Sequence, residues 1–241
     1  MSLSRNEADL ASVSCLDDRV RGRLYAFVSG CGEPVGRDEA AAAVGIGRAL
    51  AVYHLDKLVE AGLLTASYRR PPGRGGPGAG RPAKVYARSG GEFMVTVPVR
   101  EYELAARLLV QAVAADRSGQ AMAALQTAAW KLGADLAQRH QERHQAGQAP
   151  GDRPQSALES ALSEHGYEPR QDEAGTVRMR NCPFRHLAEL EPEPVCRMNL
   201  ALIQGLAAGL DAGRLHPVLD PEPEHCCVAI PAATPDTNGT T

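Results

Sequence analysis

Between Val35 and Tyr86 the chain passes through two short helical patterns, a glycine between them, and a basic hairpin whose tip is rich in Arg, Gly and Pro. Few folds accept that succession. RDEAAAAV (37–44) is a run of helix formers that stops at Gly45, a residue able to take the left-handed conformation that turns one helix into the next. A second helix starts near Gly47 in GRALAVYHLDKLVEAGLL and is ended by Gly62. Along it Ala51, Val52, Leu55, Leu58 and Val59 share one face at helical spacing. Arg48, Ala49, Leu50, Tyr53 and Lys57 lie toward the other face, and His54 sits at the border.

Beyond Gly62 the pattern changes to that of a hairpin. Leu64 to Tyr68 is expected as a strand, 69–81 as an irregular Pro/Gly loop, and Lys84 to Ala87 as the returning strand. Six basic residues (Arg69, Arg70, Arg74, Arg81, Lys84, Arg88) and no acidic one fall between Thr65 and Gly91. That local field suits a polyanion although the whole chain is formally at −3. A solvated basic linker is the plain alternative for the loop alone. Joined to the two helices, the pattern is that of a winged helix-turn-helix meeting double-stranded DNA. The candidate contacts are Arg48, Ala49, Tyr53, His54 and Lys57 on the second helix, and Arg69, Arg70, Arg74, Arg81 and Lys84 on the hairpin.

The segment RDEAAAAVGIGRALAVYHLDKLVEAGLL, followed by GRPAKVY, resembles the DNA-binding domain of ArsR-type winged-helix regulators, in particular the SufR-like, iron-sulfur-sensing subgroup. The resemblance covers about the first 90 residues. It implies that Arg48, Ala49, Tyr53 and His54 face bases or phosphates and that Arg81 lies at the wing. Gly47 stands where such regulators usually place Ser or Thr, so the helix start brings no hydroxyl to a phosphate.

With 241 residues and 44% hydrophobic content, the chain can bury a core in each of two domains, or in one domain plus a helical connector. The expected fold class is mainly α with α+β parts. Residues 1–16 read as a disordered N-terminus, 17–95 as the winged helix-turn-helix and 96–145 as a helical connector. Residues 146–155 read as a polar linker, 156–230 as a small α+β sensor domain, and 231–241 as a disordered tail. In the connector, Val99 to Ala115 and Gln120 to His144 have Ala- and Leu-rich faces. Such faces suit a homodimer, or cover their own domain. No apolar stretch reaches 18 residues and the first residues carry no apolar run, so a cytoplasmic location without a membrane partner is expected.

Cys15 and Cys31 flank the first helix of the N-terminal part, whereas Cys182, Cys196, Cys226 and Cys227 all fall in the small domain. Intervals of 13 and 29 residues separate Cys182, Cys196 and Cys226, so they belong to separate elements rather than to a C-x-x-C knuckle. A disulfide framework does not suit a cytosolic chain of this size. Cys182 precedes Pro183 at an expected helix start, and Cys196 follows Pro194 at another, where free N–H groups and the helix dipole stabilise a thiolate. Thiolates so placed suit a soft metal or an iron-sulfur cluster. In an extended segment Cys226 and Cys227 would point to opposite faces, so one of the two is expected to ligate. His186 is a further candidate, as are His216 and His225.

CPFRHLAELEPEPVCRMNLALIQGL and HCCVAI resemble the cysteine-bearing half of SufR-like regulators of actinobacteria. The resemblance implies that Cys182, Cys196 and one of Cys226 or Cys227 hold a cluster, with the 4Fe-4S type favoured. Asn199, where a His is expected after the second Cys, and the doubled Cys depart from the pattern. Structural zinc, or thiols that only pack a core, are the alternatives.

HQERH places His140 and His144 four residues apart, but without the Glu order of H-E-x-x-H and on a run that reads as polar on every side, a solvated helix end. No P-loop, nucleophile elbow or G-x-G-x-x-G accompanies the cysteines, so an enzyme is not expected. A thiol- or metal-dependent enzyme with a nucleic-acid-binding domain is the alternative from another class. The leading expectation is a homodimeric regulator on an inverted-repeat operator.

Overall fold

A computed structural model describes residues 5–69, 82–98, 100–144, 154–210, 212 and 215–232. The chain is mainly helical with small antiparallel sheets, and it divides into two compact units at Arg100 and Glu101.

In the first unit, α1 (Arg5–Ser14) runs through a turn of 3-10 helix (Cys15–Asp17) into α2 (Arg19–Gly30). Asp18 caps α2, its Oδ1 accepting the N–H groups of Val20 at 2.9 Å and Arg21 at 3.0 Å. Residues 5–16 are therefore not the disordered segment expected from sequence. Asp9 and Asn6 of α1 accept backbone N–H groups of Met94 and Thr96 at 3.1 Å, long-range bonds that composition does not reveal.

A two-residue strand, β1 (Val35–Gly36), precedes α3 (Arg37–Val44). Gly45 then takes φ 71°, with Gly45 N–H on Ala42 O and Ile46 N–H on Ala41 O, a Schellman stop. Next come α4 (Arg48–Glu60), β2 (Leu64–Arg69) and β3 (Ala83–Arg88). The sheet order is β1-β3-β2, all antiparallel, with Val35 opposite Tyr86 and Leu64 opposite Arg88. Leu24, Val28, Val35, Val44, Leu55, Leu58, Leu64 and Tyr86 form the core. The expected helix, glycine turn, helix and hairpin are all present in order. Arg70, Arg74 and Arg81 lie outside the described residues.

The second unit contains α5 (Tyr102–Ala115), α6 (Gln120–His144), α7 (Pro154–Glu164), β4 (Pro169–Gln171), β5 (Val177–Met179), α8 (Arg185–Leu190), α9 (Pro192–Gly209), β6 (Val218–Leu219) and β7 (Val228–Ile230). Its antiparallel sheet has the order β4-β5-β7-β6. α6 and α9 meet at glycines, because a Cβ at Gly133 would overlap the Leu202 carbonyl and one at Gly205 the Trp130 carbonyl. Leu158, Leu162, Met179, Ile203, Leu206, Val228 and Ile230 fill the core between α7, α9 and the sheet.

This arrangement corrects the expected boundaries. Residues 101–144 are not a separate connector: α6 packs along α9 inside the second unit. Pro154 and Gln155, assigned to the linker, open α7. Residues 145–153 and 233–241, and with them most of the linker and tail assignments, lie outside the described residues.

Candidate functional site

α4 presents two contrasting faces. Ala51, Leu55 and Leu58 are wholly buried, whereas Arg48, Ala49, Leu50 and Tyr53 are exposed. Arg48 lies 3.0 Å from Asp38 of α3, an exposed pair. Lys57 pairs with Glu60 at 2.6 Å on the same helix. His54 belongs to the buried face, at 7% exposure, with Nδ1 4.0 Å from Asp18 and no hydrogen-bond partner for it among the described residues. Its assignment to a DNA-facing position is thus corrected: the three- and four-residue steps from Ala51 and Leu58 carry it inward.

On the hairpin, Arg69 is exposed and lies 3.1 Å from Glu33. Lys84 has a different setting, 2.6 Å from Asp56 of α4, and Tyr86 donates its hydroxyl to the same carboxylate oxygen at 3.0 Å. The Lys84 ammonium is held above its ordinary pKa by that hydrogen bond. Lys84 therefore fastens α4 to β3.

The four C-terminal cysteines come from three places: the loop after β5 (Cys182), α9 (Cys196) and the approach to β7 (Cys226, Cys227). Cys182 and Cys226 are buried, Cys196 and Cys227 half-buried. The thiols perturb one another electrostatically, Cys226 and Cys196 being held below the ordinary thiol value and Cys182 and Cys227 above it. Hydrogen bonds from Cys182 and Cys227 lower the Cys226 thiol to about 3, and the one from Cys227 lowers Cys196. The hydrogen bond that each donates to Cys226 or Cys196 holds Cys182 and Cys227 up as the protonated partners.

Two expectations about the thiols change. Cys182 is not at a helix N-terminus, because α8 starts at Arg185 and the preceding residues form a turn in which Arg185 N–H bonds Cys182 O at 3.0 Å. Nor is Cys196, which is the fifth residue of α9. Backbone N–H groups do reach two sulfurs, from Phe184 to Cys182 and from Val228 to Cys226, each two residues on. Cys227 lies in a bend rather than a strand, so the strand alternation that would face Cys226 and Cys227 apart does not apply there. His186 sits half-buried on α8.

Asn199 and Tyr167 also belong to this site, although the sequence does not mark them as functional residues. Asn199 is fully buried, donates its Nδ2 to Cys226 Sγ at 3.2 Å and lies 4.0 Å from Cys182 Sγ, while Tyr167 donates its hydroxyl to Asn199 Oδ1 at 2.5 Å. The one signal that could have found them is a polar residue on the buried stripe of α9, four and seven residues before Ile203 and Leu206.

The cysteines bring soft sulfur donors from separate elements into one region, with the Asn199 amide donating to the Cys226 sulfur. Tetrahedral zinc holds thiolates at about 2.3 Å and hence about 3.8 Å from one another. Among the described residues, the three-donor group within 4.8 Å is His140, His144 and Glu164, not a set of thiols. No protein-family model, no curated protein and no solved structure matches this chain.

Proposed function

We propose that the chain is a homodimeric DNA-binding transcription regulator, with a winged helix-turn-helix in residues 17–95 and an iron-sulfur centre on Cys182, Cys196 and one of Cys226 or Cys227. The carrying observation is α4, a helix that buries Ala51, Leu55 and Leu58 while presenting Arg48, Ala49 and Tyr53, and that is followed in the sequence by a basic hairpin. A side chain of Arg that reads a base pair edge to edge discriminates by about 1–3 kcal/mol. The exposed Arg48–Asp38 pair it would leave is worth at most about 1 kcal/mol. Exchange of partners is favourable.

Arg48→Ala should accordingly weaken binding to a selected duplex by about 1–3 kcal/mol and relax its specificity, as gel-shift titration would measure. Unchanged affinity and specificity remove α4 from the groove. For the cysteine centre, protein purified without oxygen should be brown and contain iron and sulfide. Cys182→Ser and Cys196→Ser should each lose the colour, whereas Cys15→Ser and Cys31→Ser should keep it. Zinc in place of iron supports the structural-metal alternative, and colourless, metal-free protein supports thiols that pack a core.

The homodimer is supported by α5. Leu104, Ala105, Leu108, Leu109 and Ala112 make a continuous exposed apolar face, while Val110 on the opposite side is buried. A second copy of the same face would cover it and align two reading helices on an inverted repeat.

A further inference from the structure

We propose that His140, His144 and Glu164 form a second metal site, taking a divalent transition-metal ion without any thiol ligand. The polar, solvated helix end expected for HQERH is not what forms. His140 is 2% exposed, and Glu164 at the end of α7 reaches across to both rings of α6. Its Oε1 lies 2.9 Å from His140 Nδ1 and 2.8 Å from His144 Nε2, and the three donor atoms fall within 4.8 Å of one another. First-row metals hold nitrogen and oxygen ligands at about 2.0–2.2 Å, which sets neighbouring ligand atoms about 3 Å apart. Two edges of the triangle already have that length.

In the metal-free arrangement each ring that donates to Oε1 carries its proton on the facing nitrogen; with an ion bound there, that nitrogen's lone pair is the ligand and the ring keeps its proton on the other nitrogen. Arg143 binds the other carboxylate oxygen and so turns Oε1 toward the rings. Two imidazoles and one carboxylate suit zinc, cobalt, nickel or copper ahead of calcium or magnesium. His144 and Glu164 are exposed, which leaves water positions and a way in. The ion would tie α6 to α7, and it shares no ligand with the cysteines.

Titration of the full chain with Co2+ under anaerobic conditions tests this. Thiolate-bound cobalt absorbs strongly in the near ultraviolet, whereas a nitrogen and oxygen site gives only weak visible bands. One equivalent should bind with only the weak visible bands, its affinity falling roughly 10-fold or more in His144→Ala and in Glu164→Gln, while any thiolate band from cobalt on the cysteines is the same in the variants as in the unaltered chain. The unaltered chain should also show hyperfine-shifted imidazole proton signals from two histidines, a readout that needs no variant to fold. Cobalt taken up only with the thiolate band, wild-type affinity in both variants, or no shifted imidazole signals overturns the site. Any of these results leaves the cysteine reading standing.

Discussion

Asn199 commits both ends of its buried amide, Nδ2 to the Cys226 sulfur and Oδ1 to the Tyr167 hydroxyl. Removing it strands a buried hydroxyl, so Asn199→Ala should cost about 1–3 kcal/mol in a denaturant melt. Adding Tyr167→Phe to that variant should recover part of the loss, because the unpartnered group is then gone. Equal stability of the single and double variants would separate the two residues energetically. At the N-terminal end, the Arg21 N–H bond holds the Asp18 carboxyl below its ordinary value against the opposing effect of burial, with the Val20 N–H assisting. The folded pKa is the lower one, so this contribution is complete above the unfolded value and disappears as pH falls through the folded value. Asp18→Asn keeps the cap acceptor without the titration and should flatten that acid stretch of the melting profile; a profile with the wild-type slope would exclude Asp18 as its source. Neither partnership of Asn199 is legible in the sequence. A buried Asn can be read from the α9 stripe, but what it bonds is decided by residues 27 and 32 positions away.

At the level of elements, the contact of α6 and α9 rests on Gly133 and Gly205, where the helix backbones approach too closely for a side chain. Neither glycine can move aside, since the atoms a Cβ would meet are backbone carbonyls. Gly133→Ala and Gly205→Ala should each destabilise by about 1–3 kcal/mol or more. Because α9 carries Cys196 and Asn199, both variants should also reduce iron loading. Full stability and full loading in Gly205→Ala would show that α9 tolerates displacement. The helix periods and the Gly45 turn are readable because they depend on local patterns. The order of α1 is not readable, because it depends on Met94 and Thr96, distant in sequence. The late start of α8 and the burial of His54 are set locally, by the Cys182–Arg185 turn and by the steps from Ala51 and Leu58, where the pattern alone reads the other way. Cys182 before Pro183 suggests a helix start; the chain makes one further turn first.

For the whole molecule, the decisive surfaces are the exposed side of α4 and the apolar face of α5. If α5 joins two copies, Leu108→Glu should convert a dimer to a monomer in sedimentation while leaving the helical signal intact. It should also weaken operator binding by removing one half-site contact. A dimer that persists puts the interface elsewhere. Coupling between the cysteines and DNA then requires a preference of the centre for one dimer arrangement, and coupling energies of this kind typically correspond to roughly 5- to 150-fold in affinity. The direct measurement is the affinity of anaerobically prepared protein for its selected duplex, taken at one fixed salt concentration before and after removal of iron. A change of roughly 5-fold or more on iron removal, abolished by Cys196→Ser, is the expected result. Tight, specific binding that is identical with and without iron would contradict control by the cysteines, and binding no tighter than to random duplex would contradict the regulator itself.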